Sequence, residues 1–223
     1  MKRLVTVFFL LFSAAIITVH AQPPKGMGSS DPEAKKVLDA VSAKFKTFKA
    51  VKAVFIYKIE NGSGKVQGTK KGTVFMKGVK YRVSISGQEI FCDGKNVWTY
   101  DKSANEVQVS DFEASASTIT PQKLFTNFYD KDFLYKLNAE RKQGAVTLQQ
   151  VELTPVDKTK PFFKVLVDVN KASKIITNTQ VFEKNGNRYT YTVSSISTSA
   201  AVTDDTFIFD AKKYPGVEVI DLR

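Results

Sequence analysis

Histidine is almost missing from this chain. Its 223 residues hold one, His20, beside one cysteine, Cys92, and one tryptophan, Trp98. Even that histidine lies in a segment marked for removal. Lys2 and Arg3 open the chain, an apolar run covers residues 4–19, and Val19-His20-Ala21 forms a small-x-small cleavage site before Gln22. The run is too short, and the small-residue site too close behind it, for a retained membrane anchor. Residues 1–21 are therefore expected to be an export signal, leaving a soluble mature protein without an imidazole. That removes the side chain best suited to general acid–base work near neutral pH. One cysteine excludes an intramolecular disulfide, and none follows the cleavage site to take a lipid. Cys92, in the strand-like run 89–93, reads as a buried small hydrophobe rather than a nucleophile.

Other chemistry is absent too. There is no glycine-rich phosphate loop, no paired-cysteine metal pattern and no Ser-His-Asp set. No acid stands inside an apolar run as a raised-pKa catalyst would, and Asp204-Asp205 reads as a solvated turn. Neither a cofactor nor a metal nor an enzyme activity is expected. Acid is also scarce relative to base: 22 Asp and Glu face 33 Lys and Arg, and losing Lys2 and Arg3 lowers the net charge from +11 to +9. The lysines mostly alternate with apolar residues, as on the solvated face of a sheet. A weaker alternative has that basic face meeting acidic lipid headgroups or an acidic partner. No nucleic-acid recognition motif is present, so nucleic acid is not an expected partner.

What is abundant is aromatic: seventeen Phe and eight Tyr. Such a load implies a large core or a lined cavity. Residues 22–30, with Pro23, Pro24, Gly26 and Gly28, read as a flexible leader. Asp31-Pro32-Glu33 then starts a helix, with an N-cap aspartate, a proline at the first position and an acid in the first turn. Ala34, Val37, Leu38, Val41, Phe45 and Phe48 fall on one stripe of it. From residue 51 the period becomes two. Strands are predicted over 51–59, 66–76, 79–85, 90–92, 96–100 and 106–112, each paired to the next, with Asn61-Gly62 and Asp93-Gly94 as turns. The meander breaks at 115–132, where Thr120-Pro121 starts a short helix carrying Leu124, Phe125 and Phe128. It resumes over 133–137, 146–153, 162–169, 174–182 and 188–196, and the tail 207–222 ends in a last alternation. The fold class is mostly β (α+β), one domain over 31–223. It is a single curved antiparallel sheet curling toward closure, with the few helices inside the curve. An apolar cavity there could hide an acyl chain, each methylene gaining about 0.8 kcal/mol on leaving water.

Several segments in order resemble the LolA family, the periplasmic lipoprotein carriers of Gram-negative bacteria. They are the helix ending in Phe45-Lys46-Thr47-Phe48, then Ala53-Val54-Phe55, Gly72-Thr73-Val74-Phe75-Met76-Lys77 and Tyr81-Arg82-Val83. The most specific is Phe91-Cys92-Asp93-Gly94-Lys95-Asn96-Val97-Trp98-Thr99-Tyr100, similar to the family's Asp-Gly-Lys-x-x-Trp-x-Tyr hairpin. Thr120-Pro121, Glu152-Leu153-Thr154-Pro155 and Phe207-Ile208-Phe209 complete the set. The resemblance implies an incompletely closed antiparallel barrel with helices lidding an apolar cavity. It also implies a periplasmic shuttle, expected to be a monomer, that takes acylated lipoproteins from an inner-membrane ABC-type extractor to an outer-membrane acceptor. One departure stands out. Where the family places a lid-latching arginine next to a proline, this chain has Gly78, and Arg82 and Lys80 are the nearby candidates to replace it. The alternative is a periplasmic binding or sensing module for another amphiphile, a lipid or an apolar pigment.

The expected cavity lining sets Tyr81, Val83, Ile85, Trp98 and Tyr100 against Val37, Leu38, Val41 and Phe45 of the helix. Phe55, Tyr57, Phe75, Leu124 and Phe128 join it. Trp98 would then report an apolar probe. Tyr81 is placed at the cavity mouth and Phe45 deeper, beneath the helix.

Overall fold

The computed structural model describes residues 28, 30–112 and 129–223. The export segment, nearly all of the leader and the predicted helix with Leu124 and Phe128 lie outside the described residues.

Helix α1 (Pro32–Lys46) begins as its sequence dictates. The Asp31 carboxylate accepts from the Glu33 amide at 2.8 Å, and Pro32 occupies the first turn. The same carboxylate accepts from the Leu137 amide at 3.0 Å, and the Asp31 amide donates to the Tyr135 carbonyl at 2.9 Å. One residue thus caps the helix and fixes it to a strand a hundred residues away. At the other end the Thr47 amide and hydroxyl both donate to the Lys44 carbonyl, satisfying a group the helix leaves open.

Among the described residues thirteen strands form one sheet. In chain order they are β1 (Val51–Glu60), β2 (Val66–Lys77), β3 (Lys80–Ile85), β4 (Gln88–Cys92), β5 (Asn96–Asp101), β6 (Glu106–Asp111), β7 (Phe133–Leu137), β8 (Arg141–Gln143), β9 (Val146–Pro155), β10 (Phe162–Asn170), β11 (Ile176–Glu183), β12 (Arg188–Ser197) and β13 (Glu218–Asp221). A single helical turn, α2 (Tyr129–Asp132), precedes β7. The hydrogen-bonded path runs β13-β6-β5-β4-β3-β2-β1-β12-β11-β10-β9-β7, with β8 paired to β9 alone. Neighbours in sequence are mostly neighbours in space, as the meander predicts. Three features depart from it. β12 returns to pair with β1, β8 is an added short strand, and β13 lies parallel to β6. The sheet ends at β13 and β7, so it stays open between the two strand sets that flank the sequence's own interruption.

Cross-strand partners share a face, so the register decides what lines each side. One row reads Leu137, Val151, Val167, Thr179, Tyr191 and Tyr57 from β7 to β1. Another reads Ala53, Val74, Val83 and Ile90 from β1 to β4. These rows belong to the face that α1 covers, called the inner face below. On the outer face the buried Asp168 carboxylate accepts from Gln150, Asn178 and Arg141, which explains why β8 folds back to bring Arg141 there.

Two cores share the inner face. Val37, Leu38 and Val41 of α1 are buried with Tyr135, Val151, Leu153, Val165 and Val167 over β7, β9 and β10. The second core joins β1 to β4 and takes Phe45 and Phe48 from the end of the helical segment. A third cluster lies on the outer face, where Phe209 and Tyr214 of the tail cover Phe91, Tyr100 and Val107. The predicted solvated turn at Asp204-Asp205 is a 3-10 turn, Asp204–Phe207, tied down by ion pairs from Asp204 to Lys77 at 2.8 Å and Lys80 at 2.9 Å.

Candidate functional site

The two inner-face cores differ in how far they are closed. Among the described residues, the core under α1 holds fourteen buried residues with two half-buried ones packed against it. The core over β1–β4 holds eight buried residues and ten half-buried hydrophobics. An apolar surface left partly open is the feature a ligand of acyl chains would need, so the candidate site is this second region.

Its floor is Val51, Ala53, Phe55, Val74, Met76, Tyr81, Val83 and Cys92. Alternation explains the set: every second residue of β1, β2 and β3 points inward. The Phe55 ring lies flat across β2 at Gly72, where an added Cβ would come within 2.3 Å of the ring's tip. Glycine at this point of the family-like strand therefore makes room for an aromatic neighbour. Half-buried above the floor are Phe45, Phe48, Ile85, Ile90, Val97 and Ile196, among others.

Toward the β1–β2 turn the face becomes aromatic and weakly polar. Tyr57 stacks between Tyr191, at 4.9 Å between ring centroids, and Tyr189, at 5.9 Å. Burial, and then the neighbouring phenols, push the Tyr57 hydroxyl far above its ordinary pKa. Burial also raises the pKa of Tyr191. Tyr81 is pushed up by burial and by its contact with the Cys92 thiol, whose own pKa is raised mainly by burial. These hydroxyls stay neutral at any ordinary pH and put no charge on the apolar surface. The arrangement can bury hydrocarbon and offer a few neutral hydrogen-bonding groups.

The sequence-predicted residues divide in three ways. Phe45, Phe55, Tyr57, Tyr81, Val83 and Ile85 come together here. Val37, Leu38 and Val41 are inner-face residues too, but they are locked into the neighbouring closed core. Phe75, Trp98 and Tyr100 are corrections, because all three face the other way. In β2, Val74 and Met76 point inward, so Phe75 points out, with the Lys52 ammonium 5.4 Å from its ring. In the β4–β5 hairpin Cys92 pairs with Val97, which leaves Trp98 opposite Phe91 and Tyr100 opposite Glu89 on the outer face. A shift of one residue in register reverses every side chain. Trp98 and Tyr100 pack with the tail cluster instead, so Trp98 is not a reporter of the inner face. The depth order is reversed as well: Tyr81 is 4% exposed, whereas Phe45 is half-buried. Neither candidate latch residue faces inward. Arg82 pairs with Glu89 at 2.7 Å and lies over the Phe91 ring, while Lys80 holds Asp204.

Residues the sequence reading missed are Tyr189, Tyr191, Val193 and Ile196 of β12, and Ile90 and Val97. The alternation of β12 was visible. Its pairing with β1, across more than a hundred residues, was not.

The family model of the outer membrane lipoprotein carrier protein LolA matches residues 46–210. The chain belongs to the LolA family. The matched span holds β1 to β12, every strand of the inner face, and leaves β13 and nearly all of α1 outside. A search of the curated proteins found no match. Among solved structures, an uncharacterized conserved protein from Thermus thermophilus is similar at 11% identity, with a TM-score of 0.58 over 85% of this chain and 99% of the other. A LolA superfamily protein from Nitrosomonas europaea is similar at 14% identity, with a TM-score of 0.43 over 79% of this chain and 97% of the other. At 11% identity the likeness to the Thermus thermophilus structure is one of fold. Among the described residues no helix is long and apolar enough to cross a membrane.

Proposed function

We propose that this LolA-family protein is a periplasmic carrier that shields the acyl chains of lipoproteins between the inner and the outer membrane. The observation that carries the proposal is the half-open apolar face over β1–β4, next to a core that is fully closed. A chain of about sixteen carbons laid on such a face gains on the order of 10 kcal/mol from leaving water, enough to hold it without any covalent or ionic chemistry. An inner-membrane ABC-type extractor would load it and an outer-membrane acceptor would empty it. Export through residues 1–21, with the mature chain from Gln22 and a single domain over 31–223, belongs to the same proposal. The stacked tyrosines at one end of the face favour a second reading, a binding module for an amphiphile with a polar or planar head.

The test is to incubate the purified mature protein with inner-membrane vesicles and their extractor. The protein should be recovered with acylated lipoprotein attached, and Phe45→Glu should fold yet release none, because an acyl chain cannot solvate an ion. Mass spectrometry that finds only free lipid or pigment on the native protein would favour the second reading. An empty protein in both experiments would defeat both.

A further inference from the structure

Beside the half-open face lies a groove of about 480 Å³, and its composition differs from that of the face. Phe48 and Ile175 supply apolar wall, Ser173 and Thr198 supply hydroxyls, and Lys44 and Lys174 stand at its sides. Among the described residues no carboxylate lines it. Phe48 is shared, since it also packs on the second core. It is the partition between groove and acyl-binding face, and the Lys44 ammonium lies 5.7 Å from its ring centroid. The other wall is the β10–β11 turn. Lys174 is held there at a positive φ of 59°, where its amide donates to the Asn170 carbonyl. A second hollow of about 260 Å³ flanks the same turn and is lined by Val146, 37% exposed, and by Lys171, which pairs with Glu140 at 2.8 Å. The turn is therefore a small basic projection with apolar surface on both sides.

From this we infer that the groove formed by Lys44, Phe48, Lys174 and Ile175 docks the protein on an anionic bilayer, the two ammonium groups meeting phospholipid phosphates and Phe48 meeting the first methylenes. The charge of the groove is of one sign and complements such a surface. Long lysine side chains also suit a boundary where the stem is apolar and the tip is wet. The docking deepens the carrier reading, because it brings the partition at Phe48 against the membrane from which acyl chains are drawn. It does not need a lipoprotein to be present.

Sedimentation with vesicles tests it without cargo. The mature protein should bind phosphatidylcholine vesicles containing about one third phosphatidylglycerol and ignore pure phosphatidylcholine. Binding should weaken as salt rises from about 0.05 M to about 0.5 M. Lys44→Gln with Lys174→Gln should lower binding roughly thirtyfold, about fivefold for each lysine near the surface. Lys70→Gln with Lys71→Gln removes the same charge from exposed positions on β2 and should change it less than about twofold. Thermal melting of both double variants like the parent shows that the fold is intact. Equal loss in the two double variants would overturn the proposal in favour of diffuse attraction by net charge. Competition by soluble glycerol phosphate would overturn it in favour of a small-anion site, and absence of binding to the anionic vesicles would end it. Failure of the lipoprotein-loading experiment alone leaves the vesicle result standing, so the two readings fail separately.

Discussion

The two halves of the inner face are made of the same kinds of residue, from strands of the same alternation, and reach different degrees of closure. Over β7, β9 and β10, helix α1 buries Val37, Leu38 and Val41 in one cluster with Val151, Leu153 and Val165, and the result is an ordinary sealed core. Over β1 to β4 the helix has run out. Among the described residues of the helical segment, Phe45 and Phe48 reach across, in a T-shaped contact at 6.0 Å, and Ile85, Ile90 and Val97 are half covered. The difference therefore lies in where one helix is anchored, not in composition. Asp31 fixes the start of α1 to β7, and fifteen residues of helix reach about 22 Å. Stability resides mainly in one half and the free apolar surface in the other.

The sharpest way to break this comparison is a charge in each kind of position. Tyr81→Glu buries an unpaired carboxylate beneath the floor and should cost about 3–5 kcal/mol, whereas Phe45→Glu, half-buried, should cost about 1–2 kcal/mol while abolishing uptake of an apolar fluorophore. Urea unfolding with dye titration reads both, and similar destabilisation in the two variants would mean that the second core is as closed as the first. Truncation sharpens the same contrast. Leu153→Ala in the sealed half should lose about 2–5 kcal/mol. Ile85→Ala in the half-open one should lose about 1 kcal/mol, measured as midpoint shifts at unchanged denaturant dependence.

A smaller effect concerns the glycine under Phe55. Gly72→Ala should cost about 1–3 kcal/mol by overpacking, and Phe55→Leu in the same chain should recover part of it, since the clash is with the ring. No recovery would place the cost in the strand backbone.

The smallest effect is a pH dependence of the tail's attachment. Hydrogen bonds and then the charges of Lys77 and Lys80 hold the Asp204 carboxyl at about 2, below its ordinary 3.8. A depressed pKa contributes stability that is complete above the unfolded value and is lost as pH falls through the folded one. Asp204→Asn should therefore release the tail slightly at neutral pH, and the difference from the parent should shrink as pH falls below about 4 and be gone only below the folded pKa of about 2. Proteolysis after residue 204 measures it; a difference that does not shrink between about pH 4 and pH 2 would show that the ion pairs are not what holds the tail.

Local features were legible in the sequence and long-range ones were not. The Asp31 cap, the α1 stripe, the turns and nearly every strand follow from periodicity and cap chemistry, which act over a few residues. The inward faces of β1, β2 and β3 were readable from alternation. The face of Trp98 and Tyr100 was not, because hydrophobic residues occupy both parities of β4 and β5. Ile90, Cys92 and Val97 point inward while Phe91, Trp98 and Tyr100 point outward, toward a tail whose docking no local pattern announces. Phe75 misled for a similar reason, as an aromatic placed outward beneath Lys52. The β12–β1 pairing, which brings Tyr191 onto Tyr57, needs a register between segments that share no turn.

The parallel attachment of β13 to β6 also has a consequence in time. Glu218 pairs with Glu106 and Asp221 with Val109, so the strand that finishes the β6 edge is made about 110 residues after it. At roughly 5–20 residues per second of synthesis that is a wait on the order of 6 to 22 seconds. During it β5 and β6 can already form their hairpin, and β6 presents a row of unpaired amides and carbonyls to whatever is nearby. Any chain in which β6 is complete and β13 is not yet in place is the form most exposed to pairing with another copy of itself.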